Sequence, residues 1–299
     1  VKEIVEFRIN ADYAHLLFSS SEGKNLGTSV KIVELSKEDS RYAQIPIIAK
    51  EVKEKYGRGF YFGWQIKRKY NKNEIEHGTL FQIKIKTVFE PTGEECGTLY
   101  DESVACEICG SNRKQISPLN LKKGSIPKKD IAKTIAGEVV VSQKFADVLN
   151  LRKIKGIVLE PIYINNGVSD YFQLSASSFI NLSNKTIVGV DPFDFSTESR
   201  ANEFALTGGY KVEFEKEIYK CPKGHTIGLN LLSEVFVIDS TEIYDNDFSV
   251  SKQKTGVKRG FLRPEPIYFC SQAFRKIVEE EKLSGIEFEL AYIDIQNSE

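Results

Sequence analysis

Several features that would assign a function directly are missing from this sequence. No stretch approaches the ~20 consecutive apolar residues of a membrane-spanning helix, which excludes a helical span. There is no excess of charge: 41 Lys and Arg stand against 42 Asp and Glu, for a net charge of −1. A dedicated nucleic-acid binder carries a positive field, because phosphate neutralisation supplies most of its affinity, and no global field of that kind is present. Histidine occurs only at positions 15, 77 and 225, which leaves little material for general-base catalysis. The chain contains no G-x-x-x-x-G-K-[ST] phosphate loop, no H-E-x-x-H and no G-x-S-x-G. Gly57, Gly59 and Gly63 have the wrong spacing for a dinucleotide fingerprint. The opening residues, VKEIVEFRIN, form no apolar leader, so the expected location is the cytoplasm. Methionine is absent, where ordinary usage gives about six.

What is present describes a folded protein. Phenylalanine (19) and tyrosine (13) are plentiful, and 41% of residues are hydrophobic. A length of 299 residues suits about two structural units at roughly 150 residues each. Val5, Phe7 and Ile9 alternate as in a half-buried strand, and residues 29–35 form a second strand candidate. Pro46 opens a helix with Ile48, Val52 and Tyr56 on one face, and Gly57 ends it. Residues 60–67 are aromatic and strand-like. Over residues 79–89, Phe81, Ile83, Ile85 and Phe89 share one strand face, with Gln82, Lys84 and Lys86 opposite. The expected class is α+β, with mixed or antiparallel sheets and few helices. The expected units are 1–90, 91–168 and 169–299, the last with an irregular inserted loop at 191–209.

An internal duplication is expected within this arrangement. Residues 142–164, SQKFADVLNLRKIKGIVLEPIYI, align without a gap on residues 271–293, SQAFRKIVEEEKLSGIEFELAYI. Ser142/Ser271, Gln143/Gln272, Phe145/Phe274, Gly156/Gly285, Ile157/Ile286, Glu160/Glu289, Tyr163/Tyr292 and Ile164/Ile293 are identical. In each copy the serine is a helix N-cap, the phenylalanine belongs to an apolar stripe, and the glycine makes the turn into an alternating strand. On the second strand Ile286, Phe288, Leu290 and Tyr292 share one face.

A cysteine motif precedes each copy. The first is Cys106-Glu-Ile-Cys109-Gly110, and the second is Cys221-Pro-Lys-Gly224-His225. C-x-x-C-G is a tight turn that aims two thiolates at one point, and structural zinc takes four tetrahedral ligands from cysteine and histidine. Cys106, Cys109, Cys221 and His225 would together make a Cys₃His site with no open position, so the zinc would be structural and would pin the two copies together. A second group should hold the free nitrogen of His225. Two metal-free turns with reduced thiols and a redox C-x-x-C are the competing readings, and Cys96 could replace His225 as fourth ligand. Cys270, beside Tyr268 and Phe269, reads as core. Five cysteines do not make a complete disulfide framework.

The order GEECGTLYDESVACEICG, helix–Gly–strand, CPKGH, helix–Gly–strand resembles the double-CxxCG proteins of bacteria. That group includes immunity proteins of contact-dependent and polymorphic toxin systems. The likeness spans residues 90–164 and 214–295 and leaves residues 1–90 aside. It departs from the pattern at the second motif, where CPKGH stands for CxxCG. The resemblance implies a protein partner, a cognate toxin neutralised by binding without catalysis. A nucleic-acid-associated zinc-ribbon protein is the alternative: of the local basic patch Lys122, Lys123, Lys128, Lys129 and Lys133, the first four would meet phosphate. An enzyme built on loop carboxylates is another, drawing on Asp191, Asp194 and Glu198 or on Glu94, Glu95, Asp101 and Glu102; such loop acids are expected to be solvated.

Overall fold

The computed structural model describes residues 1–165, 167–193, 203–205, 211–213 and 220–295. The fold is α+β, and its residues divide into two units, Val1–His77 with Val190–Glu215, and Gly78–Gly189 with Lys216–Glu299.

The first unit is built on an antiparallel sheet in the order β2-β3-β1-β4, from β1 (Lys2–Asn10), β2 (Lys24–Leu26), β3 (Val30–Ser36) and β4 (Tyr61–Lys69). The alternation seen in the sequence buries Val5, Phe7 and Ile9 completely. Helix α1 (Ile45–Tyr56) has Pro46 in its first turn and buries Ile45 and Val52. It ends where Gly57 turns left-handed at φ 67°. The Phe7 ring packs on Tyr42, Tyr61 and Phe193 at centroid distances of 6.2, 5.5 and 5.9 Å. Residues 203–205, inside the stretch expected to be irregular, pair as an antiparallel strand with 211–213, just beyond it. Asp194 and Glu198 lie outside the described residues.

The second unit holds β5 (Leu80–Ile85), β6 (Val88–Phe89), β7 (Asn120–Leu121), β8 (Ile131–Thr134), β9 (Val139–Ser142), α2 (Gln143–Leu151) and β10 (Ile157–Ile164). These are followed by β11 (Gly167–Ala176), β12 (Phe179–Ile180), β13 (Val235–Ile238), α3 (Thr241–Asp245), β14 (Phe248–Thr255), β15 (Glu265–Ser271), α4 (Gln272–Glu280) and β16 (Ile286–Asp294). One sheet runs β6-β8-β9-β11-β10-β7, and the other runs β12-β14-β15-β5-β16-β13. Position by position the two sheets have the same directions: parallel at both outer pairs and antiparallel at the three inner ones.

The match has one crossing. Strands β6 to β10 belong to the first half of this unit and β12 to β16 to the second, yet the inner strand β11 of the first sheet comes from the second half. In return, β5 of the first half fills the same slot in the second sheet. The registers agree as well. Leu80 faces Ser271 and Tyr171 faces Ser142, which superposes LFQIKI (80–85) on YFQLSA (171–176). Sequence alternation ran one strand over 79–89, with a unit boundary at residue 90. In the structure Lys86 and Thr87 break that segment, β5 enters one sheet and β6 the other, and the contacts divide the chain after His77.

The helix–turn–strand elements are alike in detail. Ser142 and Ser271 cap α2 and α4, each hydroxyl accepting from the phenylalanine N–H three residues on at 3.2 Å. Gly156 and Gly285 then turn at φ 89° and 99°. A Cβ on Gly156 would stand 2.0 Å from the Phe248 carbonyl oxygen, and one on Gly285 would stand 2.2 Å from that of Ile131. Equivalent residues meet each other: the rings of Phe145 and Phe274 lie 6.5 Å apart, and Arg152 pairs with Glu281 at 2.6 Å. The approaches are also reciprocal, Gly156 to the Phe248 carbonyl and Gly285 to the Ile131 carbonyl, which is the contact pattern of a local two-fold axis, or pseudo-dyad.

Candidate metal centre

Each cysteine motif folds into a closed turn. The N–H of Cys106 donates to the Ser111 carbonyl and that of Cys221 to the Thr226 carbonyl, both at 2.8 Å. Gly110 and Gly224 take left-handed φ values of 66° and 78°, which tighten the two turns without side-chain strain. The short strand Thr226–Gly228 runs parallel to β14 and ties the second turn to its sheet. Lys223 and Glu107 form an ion pair of 2.9 Å from one turn to the other.

The four residues singled out by spacing are brought together. One ligand atom from each of Cys106, Cys109, Cys221 and His225 lies within 4.8 Å of all the others, so the cluster could hold a metal ion. Cys106 Sγ is 3.8 Å from Cys221 Sγ, and His225 Nδ1 is 3.8 Å from Cys221 Sγ and 3.9 Å from Cys109 Sγ. The cysteines are free thiols and all three are buried, Cys109 completely; His225 is half-buried. With Ile108 they form a small cluster of their own, separate from the sheet cores around Phe269 and Val140.

The surroundings favour thiolate at Cys106 and Cys109. Burial pushes the Cys109 thiol up, but the hydroxyls of Ser111 and Thr226, the Ser111 N–H and His225 outweigh it and bring it down to about 6. The Cys109 and Ile108 N–H groups lower Cys106 despite its burial. Burial raises Cys221, partly offset by the N–H groups of Lys223 and His225. The neighbouring sulfurs of Cys106 and Cys109 raise His225. Half-buried Lys254, whose N–H donates to the His225 carbonyl at 2.7 Å, is pushed down by burial and held up by Cys109. Ser111 and Thr226, with hydroxyls 3.4 Å apart on the pseudo-dyad, were missed at sequence level. Their signal is a hydroxyl residue five positions after the first cysteine of each motif.

The other candidates lie elsewhere. Cys96 ends a 3₁₀ turn outside the cluster and does not replace His225. Cys270 is 1% exposed in the core, where burial drives its thiol well up. Among the described residues no partner holds the second nitrogen of His225, in contrast to the expectation, because the half-buried ring turns Nδ1 to the sulfurs at the edge of the cluster. His15 and His77 are exposed in the first unit, and His77 Nδ1 bonds the Asn73 carbonyl. The loop acids are engaged: Glu94 and Glu102 pair with Arg113, which stacks on Tyr100 at 3.7 Å, and Glu95 caps its turn through Thr92. Asp101 bonds Ser103, and Asp191 accepts from the Tyr61 hydroxyl at 2.5 Å. Lys122, Lys123, Lys128 and Lys129 are exposed on one loop, whereas Lys133 pairs with Glu265.

No protein-family model matches the chain, and no curated protein matches it.

Proposed function

We propose that the chain is a non-enzymatic binding protein of the immunity type, built on a structural zinc site. The observation that carries the metal assignment is the spacing of the ligand atoms. A zinc tetrahedron with bonds of about 2.3 Å to sulfur has edges of about 3.8 Å. The Cys106–Cys221 sulfur edge is 3.8 Å; two sulfur–nitrogen edges of 3.8 and 3.9 Å lie slightly above the roughly 3.6 Å of a zinc tetrahedron, and all the ligand atoms lie within 4.8 Å of one another. Three thiolates and an imidazole fill the coordination shell, so the zinc has a structural role and leaves no position for a substrate. Cysteine-rich tetrahedral donor sets suit zinc over the oxygen-seeking cations. The matched halves support descent from one duplicated unit, as expected from the gapless alignment of 142–164 on 271–293.

The binding role rests on the resemblance to the double-CxxCG proteins and on the engagement of the candidate carboxylates in ion pairs and caps. The partner is a toxin-like protein, recognised by a rigid surface of complementary charge. Two measurements test the reading. Metal analysis of the purified chain should give one zinc per molecule, lost in Cys106→Ser combined with Cys221→Ser; absence of zinc from the unaltered chain refutes the site. Affinity capture from native lysate should retain one protein at stoichiometric level whose toxic activity is inhibited by the added chain. Retention of no such protein refutes the immunity role.

A further inference from the structure

The segments leading into β8 and β14 are equivalent under the pseudo-dyad and opposite in charge. LKKGSIPKKDI (121–131) corresponds to VIDSTEIYDNDF (237–248), which is one residue longer: the strand register sets Leu121 against Val237, and the matching serine bonds set Asp130 against Asp247. Ile126 and Ile243 hold the same inward position, each packed on the core of its own sheet. The exposed positions between them diverge completely. The first segment carries Lys122, Lys123, Lys128 and Lys129 and no acid before Asp130. The second carries Asp239, Glu242 and Asp245 and no base. All seven side chains are exposed, and none of them forms an ion pair among the described residues.

Opposite charges are thus displayed on corresponding segments, a loop in the first half and α3 with its lead-in in the second, on a chain whose net charge is −1. We propose that the four-lysine loop of one molecule docks on the 239–245 segment of a second copy of this chain. Tyr244, 66% exposed among those acids, offers an aromatic face to a lysine ammonium. Tyr244 is held in place by its hydroxyl's bond to Asp239 at 2.9 Å. The contact is heterologous: each molecule that joins leaves one basic and one acidic surface open, so the assembly grows head to tail instead of closing as a symmetric dimer. Exposed ion pairs are individually weak, and screening over about 8 Å at physiological ionic strength confines the effect to moderate salt and high concentration. This inference is independent of the metal and of any toxin partner.

Sedimentation velocity on the full chain tests it. At ~20 mM salt the weight-average sedimentation coefficient should rise with protein concentration, and at ~500 mM it should not. Lys122→Glu, Lys123→Glu, Lys128→Glu and Lys129→Glu together should abolish the rise, as should Asp239→Lys, Glu242→Lys and Asp245→Lys together. Mixing the two variants should restore association, because one then carries two acidic surfaces and the other two basic ones. Circular dichroism should show that each variant retains its fold, since every altered side chain is exposed. A monodisperse wild-type chain at low salt overturns the proposal. Association that persists in either variant overturns it too. Co-purifying nucleic acid released by the lysine variant, without self-association, assigns the loop to phosphate instead.

Discussion

Asp130 and Asp247 make the same pair of bonds in opposite directions. Each accepts from the N-cap serine of its own half, Ser142 at 3.1 Å and Ser271 at 2.9 Å. Each also accepts from a backbone N–H of the other half, Asp130 from Ser284 at 2.8 Å and Asp247 from Lys155 at 3.1 Å. One carboxylate therefore fixes a helix start and an inter-half junction together.

Asp130→Ala and Asp247→Ala should destabilise the protein by similar amounts, about 1–3 kcal/mol each, because each leaves a capping hydroxyl and a backbone donor without their acceptor. Urea unfolding at neutral pH measures both. Substitution of either N-cap serine by alanine should cost about 1 kcal/mol.

Acid should weaken the Asp130 junction. Burial raises this carboxyl, but the N–H and hydroxyl of Ser284 and the Ser142 hydroxyl outweigh it and hold it below its usual value. A lowered folded pKa gives stability that is present above the unfolded value near ~4 and lost as pH falls through the folded one. Asp130→Asn should flatten that part of the stability–pH curve, read from thermal unfolding between pH 7 and pH 2.

Gly156→Ala and Gly285→Ala should each cost about 2–5 kcal/mol, adding left-handed strain of ~1–2 to overpacking against a carbonyl of ~1–3. Gly97 is the control. It has φ 90° with nothing within 4 Å of the added Cβ, so Gly97→Ala should cost only the ~1–2 kcal/mol of backbone strain.

In metal-free protein the Cys109 thiolate should titrate near 6 and be alkylated fastest above that pH. Ser111→Ala with Thr226→Val should move the midpoint upward, because two of the donors holding the thiolate are gone. In the zinc protein the metal protects the sulfur, and release on acidification should fall below 6, since bound metal stabilises the thiolate further.

Chelation should leave the two large sheets standing. The cysteine cluster shares no core residue with either, so hydrogen exchange should rise in the two motif turns while far-ultraviolet circular dichroism changes little. Loss of all strand signal in the chelated protein would show that the metal is required for the fold as a whole.

The Cys₃His cluster was legible because its spacing is short: two closed turns fix their own geometry, and only their meeting had to be supplied by the fold. The serine caps, the Gly57 stop and the helix–Gly–strand elements were legible for the same local reason. The exchange of β5 and β11 was not. A period of two identifies a strand and its faces but says nothing about which strand lies beside it, and the six-residue match of LFQIKI to YFQLSA becomes evident only once both are paired to equivalent serines. The boundary placed at residue 90 followed a composition change in the loop, whereas the contacts follow β5 into the second sheet.

The exchanged strands set an order of events in synthesis. β5 leaves the ribosome before any of its neighbours exist, and its slot opens only when β15 and β16, near residue 290, have been made. Until then a strand with Leu80 and Phe81 on opposite faces, both destined for burial, has nowhere to pair. Pairings so distant along the chain fold slowly and keep apolar edges open meanwhile. A cut between the two halves cannot yield two self-sufficient domains, because each fragment carries the strand that completes the other.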